Sequence, residues 1–407
     1  MSIPKISNPA VRKETRFLFL GSAILFLINN FFGFDNALTV GEIPRWQVLI
    51  HLHAGSIGWI TLSAIGLAIW LFTGDRKADD AYARGVRNLA RAGVFVFGGY
   101  IITFGLAFSR AEGPLVTLLP IFGTASALTI WWAAIFSLSQ LRRQSPVTTP
   151  HILITGALLV AAVGGTMGVL LGLERALGPF LPPMQDRVGF HAGMMDTYLF
   201  LVAAAVVETF IVKGTATRWS WPGLLQGATW TLAAVLVPIG FLFNLLDQLL
   251  PIFGILLLLA MLVFLIRMGW RALVNGPRGE GPLPWTFFGT LWLVVYLAFF
   301  LYAVMGTGGD FALLPSWFFA VFAHAGFVGM MTNLILAVFS ARTQESRHVL
   351  SWGEPTSLWL INLGLLVFFA LKITADIRLG AIVMGIGVVL GVLTMILRLR
   401  AVDVAKT

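Results

Sequence analysis

Long apolar runs alternate along this chain with short polar connections. The runs lie near residues 16–34, 46–73, 88–108, 114–138, 150–172, 187–212, 222–244, 249–269, 284–305, 313–340, 355–372 and 378–398. A helix that crosses a membrane needs about 20 predominantly apolar residues. The pattern therefore predicts an all-α integral membrane protein with twelve transmembrane helices in a single domain, residues 1–407.

Composition supports the membrane interpretation. Hydrophobic residues make up 58% of the 407 residues, charged residues only 11%, and the mean hydropathy is +0.89; a soluble domain carries about 25% charged residues. The net charge of +9 is also typical of nucleic-acid binding, but the basic residues are confined to short connections between apolar runs. We therefore expect the lipid bilayer, and no nucleic acid, as a partner. The absence of cysteine excludes disulfides and thiolate metal sites.

The basic residues alternate between the two predicted sides. The N-terminal tail, the even-numbered connections and the C-terminal tail hold 21 of the 27 Lys and Arg residues. The odd-numbered connections hold the other six, which are Arg45, Arg110, Arg175, Arg187, Lys372 and Arg378. Cytoplasmic connections are enriched in Lys and Arg. We therefore predict that both termini are cytoplasmic, in a multi-pass protein of the cell (inner) membrane.

Four histidines lie inside apolar runs, where ionisable side chains are functional candidates by default. His51 and His53 share the second run, and the triplet His53-Ala54-Gly55 returns at His191 and at His324. The three triplets fall in three predicted repeats, near 16–140, 150–270 and 284–400, which indicates a site assembled from a repeated unit.

These histidines are predicted to lie at one depth. The second, sixth and tenth runs cross in the same direction, and His53 and His324 each follow a tryptophan, Trp46 or Trp317, by seven residues. Tryptophan favours the membrane interface, so the imidazoles should lie in the outer half of the membrane and converge. His51 and His53 are about 200° apart on a helix and cannot face one centre. The alternative for any one histidine is an ordinary interhelical hydrogen bond.

The remaining polar residues of interest have simpler interpretations. His151 and His348 fall at an interface and in a connection, where solvation suffices. Asp196 follows His191 by five residues and points to a different quadrant of the helix. It can act as a proton relay or can bond to a neighbouring helix, and the two alternatives stay open.

The pattern resembles subunit I of the haem-copper oxidase and nitric oxide reductase superfamily, and also the NnrS-type haem proteins. The resemblance implies twelve helices in three arcs of four, with a b-type haem held between histidines of the second and tenth helices. Here those are His53 (or His51) and His324, while His191 corresponds to the copper ligand of the sixth helix. Basic residues near the outer surface meet the haem propionates in this family, and Arg45, Lys372 and Arg378 are the candidates here.

The departures from the family pattern concern the second metal centre. The seventh run, 222–244, contains no histidine, although the family's copper needs an adjacent pair there. The tenth run has one histidine, where the family usually has His-x-His. A normal binuclear centre is therefore not expected, and neither is reduction of oxygen to water. Whether the chain is a haem-dependent oxidoreductase stays open.

Two classes of function follow. The first is a membrane-embedded haem b protein for electron transfer or for binding NO or O₂, with His53 and His324 as the axial pair. His51 and His191 then serve copper or another second metal, or support the ligands, and electrons come from a redox partner or quinol. The second is a haem-free proton- or metal-coupled transporter, since histidines also bind Zn²⁺ or Cu²⁺. A subunit that only stabilises partners is a third alternative.

Overall fold

The structure is a computed structural model, and nearly all of the chain that it describes is helical. It describes residues 6, 8–39, 43–73, 80–109, 114–178, 187–211, 221–307, 313–374 and 377–404. Within these residues there is no β-strand. The α-helices of this part are α1 (Pro9–Leu38), α2 (Arg45–His53), α3 (Leu62–Thr73), α4 (Asp80–Ser109), α5 (Pro114–Leu141), α6 (Thr149–Leu177), α7 (Arg187–Ile211), α8 (Trp221–Phe243), α9 (Leu246–Phe264), α10 (Trp270–Asn275), α11 (Pro282–Thr307), α12 (Ser316–His324), α13 (Asn333–Arg342), α14 (Gly353–Thr374) and α15 (Arg378–Val404).

Three pairs of these helices are continuous through a π-helical segment. Ala54–Thr61 joins α2 to α3, Leu265–Gly269 joins α9 to α10, and Ala325–Thr332 joins α12 to α13. The α2–α3 and α12–α13 helices are the second and tenth predicted runs, and in both of them the π-helical segment begins directly after a histidine. Segments of this kind are rare and occur frequently at functional sites.

Eleven helices in the described residues are long and apolar enough to cross a membrane, which indicates a multi-pass membrane protein. The predicted run 222–244 corresponds to α8, which is helical but is not among these eleven. Most helices begin and end within a few residues of the predicted runs. The largest differences are at the start of α4, which lies at Asp80 rather than near residue 88, and at the start of α1, which lies at Pro9 rather than near residue 16. The early start of α1 is capped by Asn8, whose Oδ1 accepts hydrogen bonds from the first-turn amides of Ala10 and Val11.

The helices that carry the histidines form the centre of the bundle. In the best apolar windows of Trp46–Thr73, Gly193–Ile211 and Trp317–Arg342, 83%, 83% and 72% of the residues are buried. The corresponding share is 39 to 56% in the other eight helices, whose outer faces are left for lipid. The side chains of α2–α3, α7 and α12–α13 therefore meet inside the protein, as the spacing of the histidine triplets predicts.

The surroundings of the second and tenth runs are also alike. Gly58 of the first π-helical segment packs against Leu25 of α1, and Gly329 of the other packs against Trp292 of α11; a Cβ on either glycine would lie within 2.8 Å of its neighbour. Leu25 and Trp292 are themselves 267 residues apart, close to the 271 residues that separate His53 from His324. The first and last thirds of the chain thus use the same close helix contact, which small residues allow.

Buried ion pairs hold neighbouring helices together at the ends remote from the histidines. Arg267 donates to both carboxylate oxygens of Glu208, at 2.7 and 3.2 Å, and also to Gln226 Oε1 at 2.8 Å. Arg398 donates to Glu354, which also accepts from Trp285 Nε1. These charges are stable in a low-dielectric interior only because each is paired and hydrogen-bonded.

Candidate functional site

The four histidines of the apolar runs share one hydrogen-bonding pattern. Nδ1 lies 2.9 Å from the Asn29 carbonyl oxygen in His51, 2.7 Å from that of Leu49 in His53, 2.8 Å from that of Gly164 in His191 and 2.7 Å from that of Ala320 in His324. A carbonyl only accepts, so each Nδ1 must carry the proton and Nε2 must carry the lone pair. Within the described part of the chain, Nε2 of these rings makes no hydrogen bond. Each ring therefore presents a nitrogen that can bind a metal.

His51 and His324 face each other across the centre of the bundle. Their ring centroids are 6.4 Å apart, and the ring planes are inclined by 30°. The sequence favoured His53 as the partner of His324 but left His51 open, and it is His51 that faces His324. The ring of His53 points the other way, towards α4. The reason is the rotation of α2, which brings His51 to the side of α12, while the step of about 200° takes His53 away from it.

His53 lies among aromatic side chains of α4. Its ring centroid is 4.2 Å from that of Phe104 and 5.9 Å from that of Tyr100. The charge of His191 of α7 also acts on His53. The four histidines are therefore grouped as two pairs: the rings of His51 and His324 face each other, whereas His53 and His191 are related through charge alone.

Two glycines make room for the rings of His51 and His191. A Cβ on Gly33 of α1 would lie 2.9 Å from Cε1 of His51, and a Cβ on Gly168 of α6 would lie 2.8 Å from Cε1 of His191. At such a distance the imidazole would have to move, so glycine allows each ring to lie close against the neighbouring helix. The sequence analysis did not single out either glycine; each lies four residues after the residue whose carbonyl holds the ring, a relationship visible only across helices.

The π-helical segments follow His53 and His324 with matching internal hydrogen bonds. Thr61 Oγ1 donates to the Ser56 carbonyl, and Thr332 Oγ1 donates to the Phe327 carbonyl, both at 2.9 Å and both five residues back. The wider turn changes the rotation of α3 and α13 relative to the turn that carries the histidine. The direction of the imidazole is therefore independent of the face on which the rest of the helix packs.

The predicted anion-binding residues fall unevenly around the site. Lys372 of α14 is near enough to His324 to interact with it electrostatically. Arg378 begins α15 and is exposed. Arg45 begins α2, but its side chain lies outside the described residues. Lys372 is therefore the candidate with an observed relation to the histidines.

Asp196 interacts with a neighbouring helix, in line with one of its two predicted roles. Its carboxyl lies near the Tyr296 hydroxyl of α11. Tyr296 also stacks on Phe322, with ring centroids 4.4 Å apart, and packs against Gly326, the last residue of the third histidine triplet. The sequence analysis missed Tyr296, because its relation to both the triplet and Asp196 exists only in the assembled bundle.

His151 and His348 differ from the other histidines, and His151 is buried rather than solvated as predicted. His151 Nδ1 accepts from the Thr148 amide at 3.1 Å, and Nε2 lies 3.0 Å from the Leu71 carbonyl oxygen, so both ring nitrogens are used. His348 is exposed in the connection between α13 and α14. Neither residue offers a free ligand nitrogen inside the bundle.

The donor sets of the two pairs limit what they can bind. Among the described residues, no group of three or more His, Asp or Glu side chains is arranged to hold a metal ion. Each pair therefore offers two nitrogen donors from the protein. Two donors suit a metal whose remaining ligands come from a bound cofactor rather than from the protein.

Comparison with known proteins adds no family to this geometry. No family model matches the chain, and no curated protein matches it.

Proposed function

We propose that the chain is a membrane-embedded haem b protein that carries electrons, with His51 and His324 as the axial ligands of the iron. The proposal includes twelve transmembrane helices in three arcs of four and both termini in the cytoplasm. Of the two partners of His324 that the sequence left open, it takes His51 rather than the favoured His53.

The distance between the two rings is the observation that carries the proposal. A metal bound to imidazole lies about 2.0–2.1 Å from the nitrogen, and the ring centroid lies ~1.1 Å further on. Two imidazoles on opposite sides of one metal thus have centroids roughly 6.3 Å apart. The rings of His51 and His324 are 6.4 Å apart.

The number of donors favours haem over a bare metal ion. The porphyrin supplies four nitrogens, so haem iron needs two axial ligands from the protein, whereas structural zinc is held by four ligands and catalytic zinc by three. No described cluster of three donors exists at the histidines. The haem-free transporter with a histidine metal site is therefore the weaker alternative.

The protein's own groups would tune such a centre. The Nδ1 bonds to Asn29 and Ala320 keep Nε2 unprotonated and hold the ring orientations, and they raise the basicity of the ligands. Bound haem supplies a one-electron couple at its iron. With both axial positions taken by protein nitrogens, the site favours electron transfer over binding of NO or O₂. Lys372 beside His324 adds a positive charge suited to a propionate.

Absorption spectroscopy of the purified protein tests the proposal. The chain is expressed with a haem precursor, purified in detergent, and examined as reduced-minus-oxidised difference spectra. His51→Ala and His324→Ala are compared with His348→Ala, the same substitution at an exposed histidine. We expect His51→Ala and His324→Ala to lose the absorption of the haem that this pair holds, while His348→Ala keeps the wild-type spectrum.

A colourless wild-type protein that holds zinc or copper would contradict the proposal and favour the transporter. Retention of the full spectrum in both His51→Ala and His324→Ala would contradict the ligand assignment. Monodisperse elution and unchanged helical circular dichroism show that a variant has lost its ligand rather than its fold.

A further inference from the structure

The four histidines are of two structural kinds. His53 and His324 each bond through Nδ1 to the carbonyl four residues earlier in their own helix, at 2.7 Å in both cases. His51 and His191 each bond instead to a carbonyl of the preceding long helix, Asn29 of α1 or Gly164 of α6.

His51 and His191, the two histidines held by the preceding helix, share a further feature. In both cases a glycine lies four residues after the carbonyl that accepts the bond, Gly33 in one and Gly168 in the other. A Cβ on either glycine would lie 2.8–2.9 Å from Cε1 of the imidazole. The two sites thus share the type of acceptor, the four-residue spacing from acceptor to glycine and the contact between glycine and ring.

Each pair combines one histidine of each kind. His51, held by the preceding helix, faces His324, held by its own helix. His191, held by the preceding helix, is the histidine whose charge acts on His53, held by its own helix. The second pair therefore contains the same two kinds of histidine as the first.

The helices bring His53 and His191 to one depth. The Tyr198 hydroxyl of α7 donates to Thr61 Oγ1 at the end of the first π-helical segment, at 3.3 Å. His191 lies seven residues before Tyr198, and His53 lies eight residues before Thr61. Three long helices, α4 to α6, lie between the two in the chain and pack as successive neighbours, so α7 runs in the same direction as α2. Both histidines thus lie roughly 10 Å from that hydrogen bond along parallel helices.

We propose that His53 and His191 hold a second haem iron, so that the protein carries two bis-histidine centres on opposite faces of α2. This inference rests on the proposed function of the first pair. The ligand class is haem because the donor set is again two imidazoles, with no third donor among the described residues. The surroundings of His53 are aromatic, with Phe104 and Tyr100 of α4 against its ring, which suits a flat apolar macrocycle.

The two-residue separation of His51 and His53 has a consequence for electron transfer. One helix supplies a ligand to each iron, so an electron received at one centre has a short path to the other. Haem bound at both pairs would supply two one-electron couples, so an electron lost by one centre would be gained by the other with no bond made or broken. His51 and His53 of α2 would thus join the two centres of a relay.

The haem content of the detergent-purified protein tests this inference. Haem is counted per chain by its pyridine complex, and the centres are separated by redox titration and by low-temperature paramagnetic resonance. We expect two haems in the wild type, one in His53→Ala or His191→Ala, one in His51→Ala or His324→Ala, and none in His51→Ala/His53→Ala. His348→Ala is the matched control and should keep both.

The outcomes separate this inference from the proposed function. One haem in the wild type, lost in His51→Ala and kept in His53→Ala and His191→Ala, overturns the second centre and leaves the first. One haem lost only in His53→Ala and His191→Ala overturns the His51–His324 assignment and supports the second pair. No haem overturns both, and copper or zinc bound at His53 and His191 in place of haem overturns the ligand class.

Two further variants guard against loss of the fold. His53→Gly and His191→Gly leave a space that added imidazole can fill, and imidazole should restore the second centre if the side chain acts only as a ligand. Gly168→Ala keeps every histidine but displaces the ring of His191, and it should change the second centre while the spectrum of the first is unchanged. Failure of imidazole to restore a folded, monodisperse His53→Gly protein overturns the ligand role of His53.

Discussion

His51 and His324 lie 271 residues apart in the chain, yet their imidazole rings face each other with centroids 6.4 Å apart. Each ring is oriented by a hydrogen bond from Nδ1 to a backbone carbonyl, so each carries its lone pair on Nε2. The spacing is that of two imidazoles on one metal. The following predictions test this relationship and the contacts that support it.

Gly33→Ala should weaken haem binding without unfolding the protein. The new Cβ would lie 2.9 Å from Cε1 of His51, so the ring must move, at roughly 1 kcal/mol or about a fivefold loss of affinity. Transfer of haem to an excess of a haem-free globin measures this. The matched control is Gly254→Ala, where a Cβ meets nothing within 4 Å. Equal haem retention in the two variants would contradict the role of Gly33.

Glu208→Ala should strongly destabilise the fold. It leaves Arg267 unpaired in the interior, with the side chains of Arg267 and Glu208 only 15% and 6% exposed, and such a loss costs about 3–5 kcal/mol. Thermal unfolding in detergent, followed by helical circular dichroism, measures the effect. Glu280→Ala is the control, because the Arg347–Glu280 pair is 35% and 84% exposed and contributes little. Similar unfolding midpoints for the two variants would show that the buried Arg267–Glu208 pair does not stabilise the fold.

His151→Ala should lower stability and leave the haem content unchanged. The substitution removes the bond from the Thr148 amide and the contact with the Leu71 carbonyl, at about 1–2 kcal/mol. Haem per chain and the unfolding midpoint are measured on the same sample. Loss of haem from a folded His151→Ala protein would show that the division between structural and ligand histidines is incorrect.

Lys372→Gln should lower the midpoint potential of the centre that contains His324. A positive charge nearby favours the reduced iron, and its removal is worth roughly 0.5–1.5 kcal/mol, or about 20–60 mV for one electron. Redox titration followed by absorption measures the shift. Arg87→Gln, which removes an exposed charge on α4, is the control and should leave the potential unchanged. An unchanged midpoint potential in Lys372→Gln would show that Lys372 does not influence the centre that contains His324.

Tyr296→Phe should destabilise the protein by about 1–3 kcal/mol, because the Asp196 carboxyl loses the polar hydroxyl beside it in the interior. Asp196→Asn changes the carboxyl instead, and the two substitutions together should cost less than the sum of their separate effects. A double-mutant cycle on the unfolding midpoints measures the coupling. Additive effects would mean that the interaction between Asp196 and Tyr296 does not contribute to stability.

The sequence by itself determined the helices and the level of the histidines. Apolar runs of membrane length and the loops between them specify where most helices begin and end, because only a helix satisfies its own backbone in lipid. The interval from Trp46 to His53 and from Trp317 to His324 is equal, so two of the ligands had to share a depth. The rotation of about 200° between His51 and His53 also required that they face different centres.

Only the tertiary structure decided which histidine meets which. The rotation of α2 about its own axis depends on contacts with α1 and α4, among them Gly33 against His51 and Phe104 against His53. Such contacts join residues that are far apart in the chain, and they leave no periodic signal in it. For the same reason the pairing of Asp196 with Tyr296, and the division of four histidines into two pairs, appear only when the helices are assembled.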